Sequence, residues 1–281
     1  MRVWLIGGTG FFGSALKRSL EARDATVYTA SRGRIGRAHL ELDITRNAAP
    51  LGEALRRGDV VVYLVAQTPL LRPPGGRRRY REAHVTGVIR ALRASESSGV
   101  ARFFYVSALG VRSGCGAGYA ESKARAERLV AGSPIPSTVV APSILFAEKS
   151  EIVRALRLLS RLPLLPLPDP EAPFRPIFLR DAAERLSETI LSETPPSRIE
   201  LTGPEKLTFA EVAEAYLRPR GVVTYRLPRR FSNALIAALS VVKLPWFPAE
   251  LEGMLAIDNA GEAPEKGEEM VPFTHWAKAK G

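Results

Sequence analysis

The chain has 281 residues, 46% hydrophobic and 25% charged, which is enough for one well-buried core plus a smaller lobe and excludes a chain too polar to fold. Its one cysteine, Cys115, rules out an internal disulfide and a cysteine-built zinc cluster. His39, His84 and His275 show no ligand spacing, so no metal is expected. Forty basic against 29 acidic residues give a net charge of +11, which favours an anionic ligand or surface without identifying it.

The chain opens on Val3-Trp4-Leu5-Ile6, an apolar run too short for a helix and read as a buried strand. A strand this early leaves no room for a secretory leader, and no apolar run reaches the length of a membrane span, so a cytoplasmic protein is expected. Gly7-Gly8-Thr9-Gly10-Phe11-Phe12-Gly13 follows, and Phe12, Ala15, Leu16 and Leu20 then recur at helical spacing. Strand, glycine turn and helix form the context in which such a motif binds a dinucleotide. Gly7 permits the tight turn, Gly10 lets backbone approach a pyrophosphate, and Gly13 lets the helix pack close on the strand. The helix start offers N–H groups and a positive dipole to phosphates.

Ala25–Ala30 is the second predicted strand, ending in Ser31-Arg32-Gly33-Arg34. An NAD-selective site usually has an acid here for the ribose 2′-OH, and none lies between Ala25 and Ala38. Arg32 can pair with a 2′-phosphate and Ser31 can hydrogen-bond it, so NADP(H) is expected over NAD(H). The alternative is a merely solvated loop. His39–Leu42 is a short third strand before Asp43-Ile44, and Asp59–Ala66 is a fourth, apolar on both faces as a parallel sheet demands. Gln67-Thr68-Pro69 lies at its C-terminal end, where ligands of such sheets bind. Residues 72–81 hold five arginines, either a phosphate or lipid contact or a solvated loop. Without aromatic interleaving they do not suggest a nucleic-acid binder. Val85, Val88, Ile89 and Leu92 make a helical stripe, and Phe103–Ser107 is a fifth strand. Tyr119 and Lys123, four residues apart, share one face of a helix. An ammonium there favours phenolate and fits Tyr119 for proton transfer to or from a carbonyl or alcohol.

Glycine spacing of this form, with a Tyr-x-x-x-Lys downstream, resembles the extended and atypical short-chain dehydrogenase/reductase superfamily. The resemblance implies an α/β fold, a Rossmann doubly wound parallel sheet with a smaller C-terminal α/β lobe. Residues 1–147 would form the NAD(P)-binding core, rejoined by 174–203, and 148–281 the smaller lobe. It implies a cofactor site of Gly7, Thr9, Gly10, Phe11, Phe12, Gly13, Ser31, Arg32, Asp43, Ile44, Val65, Ala66, Gln67, Ser107, Tyr119, Lys123, Pro142, Ser143 and Ile144. In it Tyr119 is the acid/base, Lys123 tunes it and bonds the nicotinamide ribose, and Ser107 is the remaining catalytic candidate. Asp43 and Ile44 would border the adenine, or Asp43 would only cap a turn. The chain departs from the pattern where the superfamily's Ser or Thr falls on Ala108 or Leu109, with Ser113 as a substitute. It departs again at Ala141 and Ala147, which stand where the sixth strand's ending carries Arg and Gly.

Ile152–Leu159 reads as an amphipathic helix, and the proline-rich 162–170 cannot be helical. Asp181 is expected to cap a helix returning to the core, and Thr208 with Glu211 to form a capping box. The apolar patch within 229–247 is either a peripheral membrane or complex contact or a cover for the substrate pocket. Residues 250–259 resemble the subgroup of the NADPH-binding accessory subunit of respiratory complex I and its bacterial relatives. Two functions follow. One is an NADP-dependent oxidoreductase or epimerase acting on a small carbonyl or sugar-like molecule. The other is a non-catalytic NADPH-binding structural or redox-sensing protein. Substrate identity and oligomeric state are not legible.

Overall fold

The computed structural model describes residues 1–33, 38–67, 76–111, 118–168, 173–227, 259–264 and 269–279. These fall into two compact units, the first made of Met1–Gln67, Gly75–Ala141 and Ala183–Ile199, the second chiefly of Pro142–Ala182 and Glu200–Gly281. The first unit thus closes at residue 141, and the chain rejoins it over 183–199, a narrower return than 174–203.

In chain order the first unit holds β1 (Arg2–Ile6), α1 (Phe11–Glu21), β2 (Thr26–Ser31), β3 (His39–Glu41), α2 (Ala49–Ala54), β4 (Val60–Tyr63) and α3 (Gly76–Tyr80). A π-helical turn (Arg81–Thr86) then runs into α4 (Gly87–Ser97), followed by β5 (Arg102–Val106), α5 (Gly118–Ala131) and β6 (Ser137–Pro142). After β7 (Leu145–Phe146), α6 (Glu151–Leu159), β8 (Leu164–Pro168) and β9 (Ile177–Phe178), the chain returns through α7 (Leu179–Leu191) and β10 (Arg198–Leu201). It ends in α8 (Phe209–Leu217), β11 (Val223–Leu227) and α9 (Phe273–Ala279).

The seven-stranded sheet runs β10-β6-β5-β4-β1-β2-β3, and its pairs from β6 to β3 are parallel. The central strands β1, β4 and β5 are buried on both faces and read as nearly continuous hydrophobic runs. Trp4, Ile6, Val61, Tyr63, Phe103 and Tyr105 share one face and pack against Leu51 of α2, Val88, Ala91 and Leu92 of α4, and Ala126 and Val130 of α5. Val3, Leu5, Val60 and Val62 alternate to the other face. Phe12, Leu16 and Leu20 of α1 are buried, and Arg23 just beyond that helix pairs with Glu188 of α7 at 2.9 Å. Asp59, expected as the first residue of the fourth strand, stands just before it. Its buried carboxylate accepts from Trp4 Nε1 at 3.0 Å and from the Arg56 backbone N–H at 2.9 Å.

Strand order reverses between β1 and β4, the neighbours at the centre of the sheet. No connection crosses between their C-terminal ends, which leaves a crevice there, the usual ligand position in such sheets.

In the second unit, β8 pairs with β11 and β7 with β9. Two prolines in β8 are tolerated because the strand belongs to a two-stranded ribbon. Phe146, Ile152, Val153, Leu156, Tyr216, Leu217 and Phe273 form its core. The capping box on α8 is complete: Thr208 Oγ1 accepts from Glu211 N, and the Glu211 carboxylate accepts from Thr208 N at 2.7 Å. Asp181 lies inside the first turn of α7 rather than ahead of it, and accepts the Val271 N–H at 2.9 Å. Arg226 and Arg218 pair with Glu214, and the Arg226 hydrogen bond holds its carboxyl below the ordinary carboxylate range.

Candidate dinucleotide site

The turn after β1 is built of glycines because side chains do not fit. Gly7 adopts φ +88°, and its N–H donates to Ala30 O at 2.7 Å. A Cβ on Gly7 would meet Val65 at 3.1 Å, so this turn lies directly beside the segment that leaves β4. A Cβ on Gly13 would stand 2.6 Å from Gly7 O and Gly8 Cα, which is why α1 can pack so close to the turn. A Cβ on Gly10 would touch only Gly7 O, at 3.2 Å. Gly10 is also the N-cap of α1, with no side-chain cap bond and no acid in the first turn. First-turn N–H groups have no partner within their helix and carry the positive end of its dipole. The residues here that could hold a dinucleotide's pyrophosphate are Gly10, which leaves room, and Phe11, Phe12 and Gly13, whose N–H groups open the helix.

Thr9 is exposed and donates to Ser31 Oγ at 2.9 Å, joining the glycine turn to the end of β2. Ser31 Oγ also lies 3.4 Å from His39 Nε2, and His39 Nδ1 lies 2.8 Å from Thr29 Oγ1. Arg32 follows, exposed. Val65, Ala66 and Gln67 leave the sheet half-buried or exposed beside the turn.

These observations agree with the comparisons. Residues 3–134 match the family described as NAD dependent epimerase/dehydratase. That stretch, just under half of the chain, is what is similar to the family. No curated protein matches the sequence. Among solved structures, a Staphylococcus aureus nucleoside-diphosphate-sugar epimerase superposes with TM-score 0.77 at 16% identity, covering 99% of this chain and all of the other. A human epimerase family protein solved with NADPH gives 0.74 at 18%, covering 99% and 98%. Thermus thermophilus UDP-glucose 4-epimerase, solved with NAD, gives 0.65 at 19%, covering 92% and 97%. At these identities the likeness is one of fold.

The other residues expected at the site lie in varied surroundings. Ile44 is 3% exposed and packs in the core, so it has no open face for an adenine. Asp43 accepts from the Thr45 N–H at 3.0 Å and from its hydroxyl at 2.6 Å, which is the turn-capping alternative. Pro142, Ser143 and Ile144 belong to the second unit, where Ser143 donates to Asn259 O at 2.9 Å. Thr68, Pro69 and Ser113 lie outside the described residues, as does the patch at 229–247. So does 250–259, apart from Asn259. Of the arginine-rich stretch, residues 76–80 form α3. The exposed Arg78 pairs with Glu82 at 2.8 Å, as a solvated helix face does.

Tyr119 and Lys123 share one face of α5, as their spacing requires, but their surroundings differ. Tyr119 is half-buried at the start of the helix, its ring edge-on to His84 and Tyr80 with centroids 5.4 and 5.8 Å away. Lys123 is 1% exposed; its amine donates to Val106 O at 2.7 Å and lies over the Tyr105 ring. Burial brings its pKa down to about 7, against the pull of Glu127. The Ser107 hydroxyl donates to the Glu127 carboxylate, which also pairs with Arg198 at 3.1 Å. Of the two positions at which the expected hydroxyl is missing, Leu109 is buried and Ala108 partly buried.

Lys123 carries a pH signature. Between about pH 7 and the ordinary lysine range the unfolded chain holds a proton that the native chain has released, so stability rises with pH across that window. Without dinucleotide, the stability of the wild type relative to Lys123→Met should rise by roughly 1 kcal/mol per pH unit between pH 7.5 and 9.5. Urea denaturation at the two limits reads it, and a pH-independent difference contradicts the burial argument.

His84, Tyr80 and Glu127 escape a motif search. The sequence hint for His84 is its place one turn before Val88, at the head of the apolar helical stripe.

Among the described residues no group of three His, Cys, Asp or Glu is placed to hold a metal, and no helix is long and apolar enough to cross a membrane.

Proposed function

We propose that this chain is an NADP(H)-dependent oxidoreductase or epimerase acting on a small carbonyl or sugar-like substrate, with Tyr119 as the acid/base. The observation that carries the reading is a half-buried Tyr119 at the head of α5, one turn before a buried lysine, in the same unit as a glycine cradle shaped for pyrophosphate. The nicotinamide supplies or takes up hydride. The chain's own part is to bind, orient and move the proton. Tyr119 O–H donates to the substrate's carbonyl oxygen in reduction and takes the proton back in oxidation. Lys123, poised near neutrality beside Tyr119 on α5, favours the phenolate whenever it is charged.

The choice of NADP rests on Ser31 and Arg32, with no acid in the sequence between Ala25 and Ala38. One charge-assisted phosphate bond contributes about 1.5–3 kcal/mol. Arg32→Ala should therefore weaken NADPH by roughly 10- to 150-fold and leave NADH nearly as it was. Equal losses for the two cofactors in calorimetry would remove the argument.

A second reading, an NADPH-binding protein without turnover, is favoured by Leu109 and by the commitment of the Ser107 hydroxyl to Glu127. The readings separate in one assay: oxidation of NADPH by a panel of carbonyl compounds that includes keto-sugars attached to nucleotides. Turnover above background supports the enzyme; background rates throughout support the binding protein.

A further inference from the structure

We propose that His84 is a positioning residue for Tyr119, holding it both through the first turn of α5 and through its ring, as a neutral imidazole protonated on Nδ1. The proposal rests on the reading of Tyr119 as the acid/base.

The protonation pattern follows from who can donate. The backbone N–H of Gln67 points at His84 Nε2, 3.0 Å away. A backbone N–H only donates, so Nε2 must offer its lone pair and the ring proton must sit on Nδ1. Nδ1 lies 2.8 Å from Ser122 Oγ, which therefore accepts. The Ser122 hydroxyl proton is left to donate to Tyr119 O, at 2.7 Å. Gln67, His84, Ser122 and Tyr119 thus form one chain of hydrogen bonds running in one direction. The other tautomer, or an imidazolium, would set N–H against N–H at Gln67. The ring is fully buried, and that burial, with Lys123 nearby, holds its pKa well below the ordinary histidine value.

His84 also meets the phenol side. Its ring lies edge-on to Tyr119, 5.4 Å between centroids, and is stacked on Tyr80 at 5.7 Å. An apolar side chain could fill the same space, but it could not carry the bond from Gln67 to Ser122. This polar chain is what distinguishes positioning from packing.

The backbone around His84 departs from an α-helix in a way that fits the role. Residues 81–86 form a π-helical turn, and the N–H of Gly87 reaches back five residues to Glu82 O. Such widened turns concentrate at functional sites. Here the cause is visible. Tyr63, the last residue of β4, donates its hydroxyl to Ala83 O at 2.6 Å. That hydroxyl occupies the place beside Gly87, where a Cβ would stand 2.2 Å from it. Tyr63 therefore holds the turn open, and Gln67, four residues later in the same segment, holds the imidazole. Both anchors come from the end of β4, on one side of the sheet's switch point.

The test uses the full-length chain labelled with ¹⁵N-histidine, His84 being assigned by loss of its signals in His84→Asn. The expected spectrum at pH 7 shows one neutral tautomer with Nδ1 protonated and Nε2 bare. An Nε2–H tautomer, or averaging between the two, overturns the proposal. The second arm is Ser122→Ala, which cuts the chain between His84 and Tyr119. Amides of residues 119–124 should then exchange roughly tenfold faster or more. On a carbonyl substrate kcat should fall while KM for NADPH stays unchanged. Exchange and kcat equal to wild type would overturn the proposal. If no carbonyl compound of the panel oxidises NADPH above background in the presence of the wild type, the acid/base reading fails, and the tautomer and exchange results still decide whether His84 holds Tyr119.

Discussion

Tyr119→Phe is expected to lower turnover of a carbonyl substrate by about 10²–10⁴-fold, the share that general acid–base catalysis contributes. The substitution removes one hydroxyl and leaves the ring, so the edge-on contacts with His84 and Tyr80 persist. The carbonyl of Tyr119 still accepts from Ser122 Oγ, so the first turn of α5 is unchanged. NADPH affinity should therefore hold, and the whole effect should fall on kcat. A variant that turns over as fast as wild type would remove Tyr119 from the chemistry. Lost affinity with unchanged kcat would make it a cofactor contact alone.

The second large effect concerns glycines, and it separates folding from binding. A Cβ on Gly203 would stand 1.7 Å from Pro176 O and 2.7 Å from Pro176 C. These are backbone atoms of a neighbouring segment, and Gly203 N also donates to Arg175 O at 3.1 Å, so neither side can give way. Gly203→Ala should cost about 3 kcal/mol or more, at the upper end of overpacking effects. Gly13→Ala meets Gly7 and Gly8 backbone at 2.6 Å and should be damaging for the same reason. Gly10→Val differs, because its Cβ meets one atom at 3.2 Å and otherwise projects towards the cradle. It should unfold in urea near the wild-type midpoint and yet fail to bind dinucleotide. Gly203→Ala unfolding within 1 kcal/mol of wild type would contradict the geometry.

Much of this was legible because it is local. Strand, glycine turn and helix lie within residues 2–21, and an apolar run on both faces is the mark of a parallel sheet. Strand ends were less so. The apolar run of the fourth strand reaches Ala66, but the strand ends at Tyr63, where the chain turns away beside Gly7. The apolar run that opens at Ser137 reaches Phe146, but β6 ends at Pro142 and Leu145-Phe146 pairs with β9. Side-chain roles depended on partners far along the chain. Ile44 looked free to cover a ring, and tertiary packing placed it beside Gly87. The spacing of Lys123 from Tyr119 was plain, but its burial was not, and burial sets its charge. His84 and Ser122 are 38 residues apart, and no pattern in the sequence joins them.

The proposed function depends on a dinucleotide seated in the glycine cradle, and calorimetric titration with NADPH and NADH tests that most directly. Wild type should bind NADPH more tightly than NADH, and Gly10→Val, folded, should bind neither. Absence of NADPH binding by the wild type, or unchanged affinity in Gly10→Val, would contradict the account.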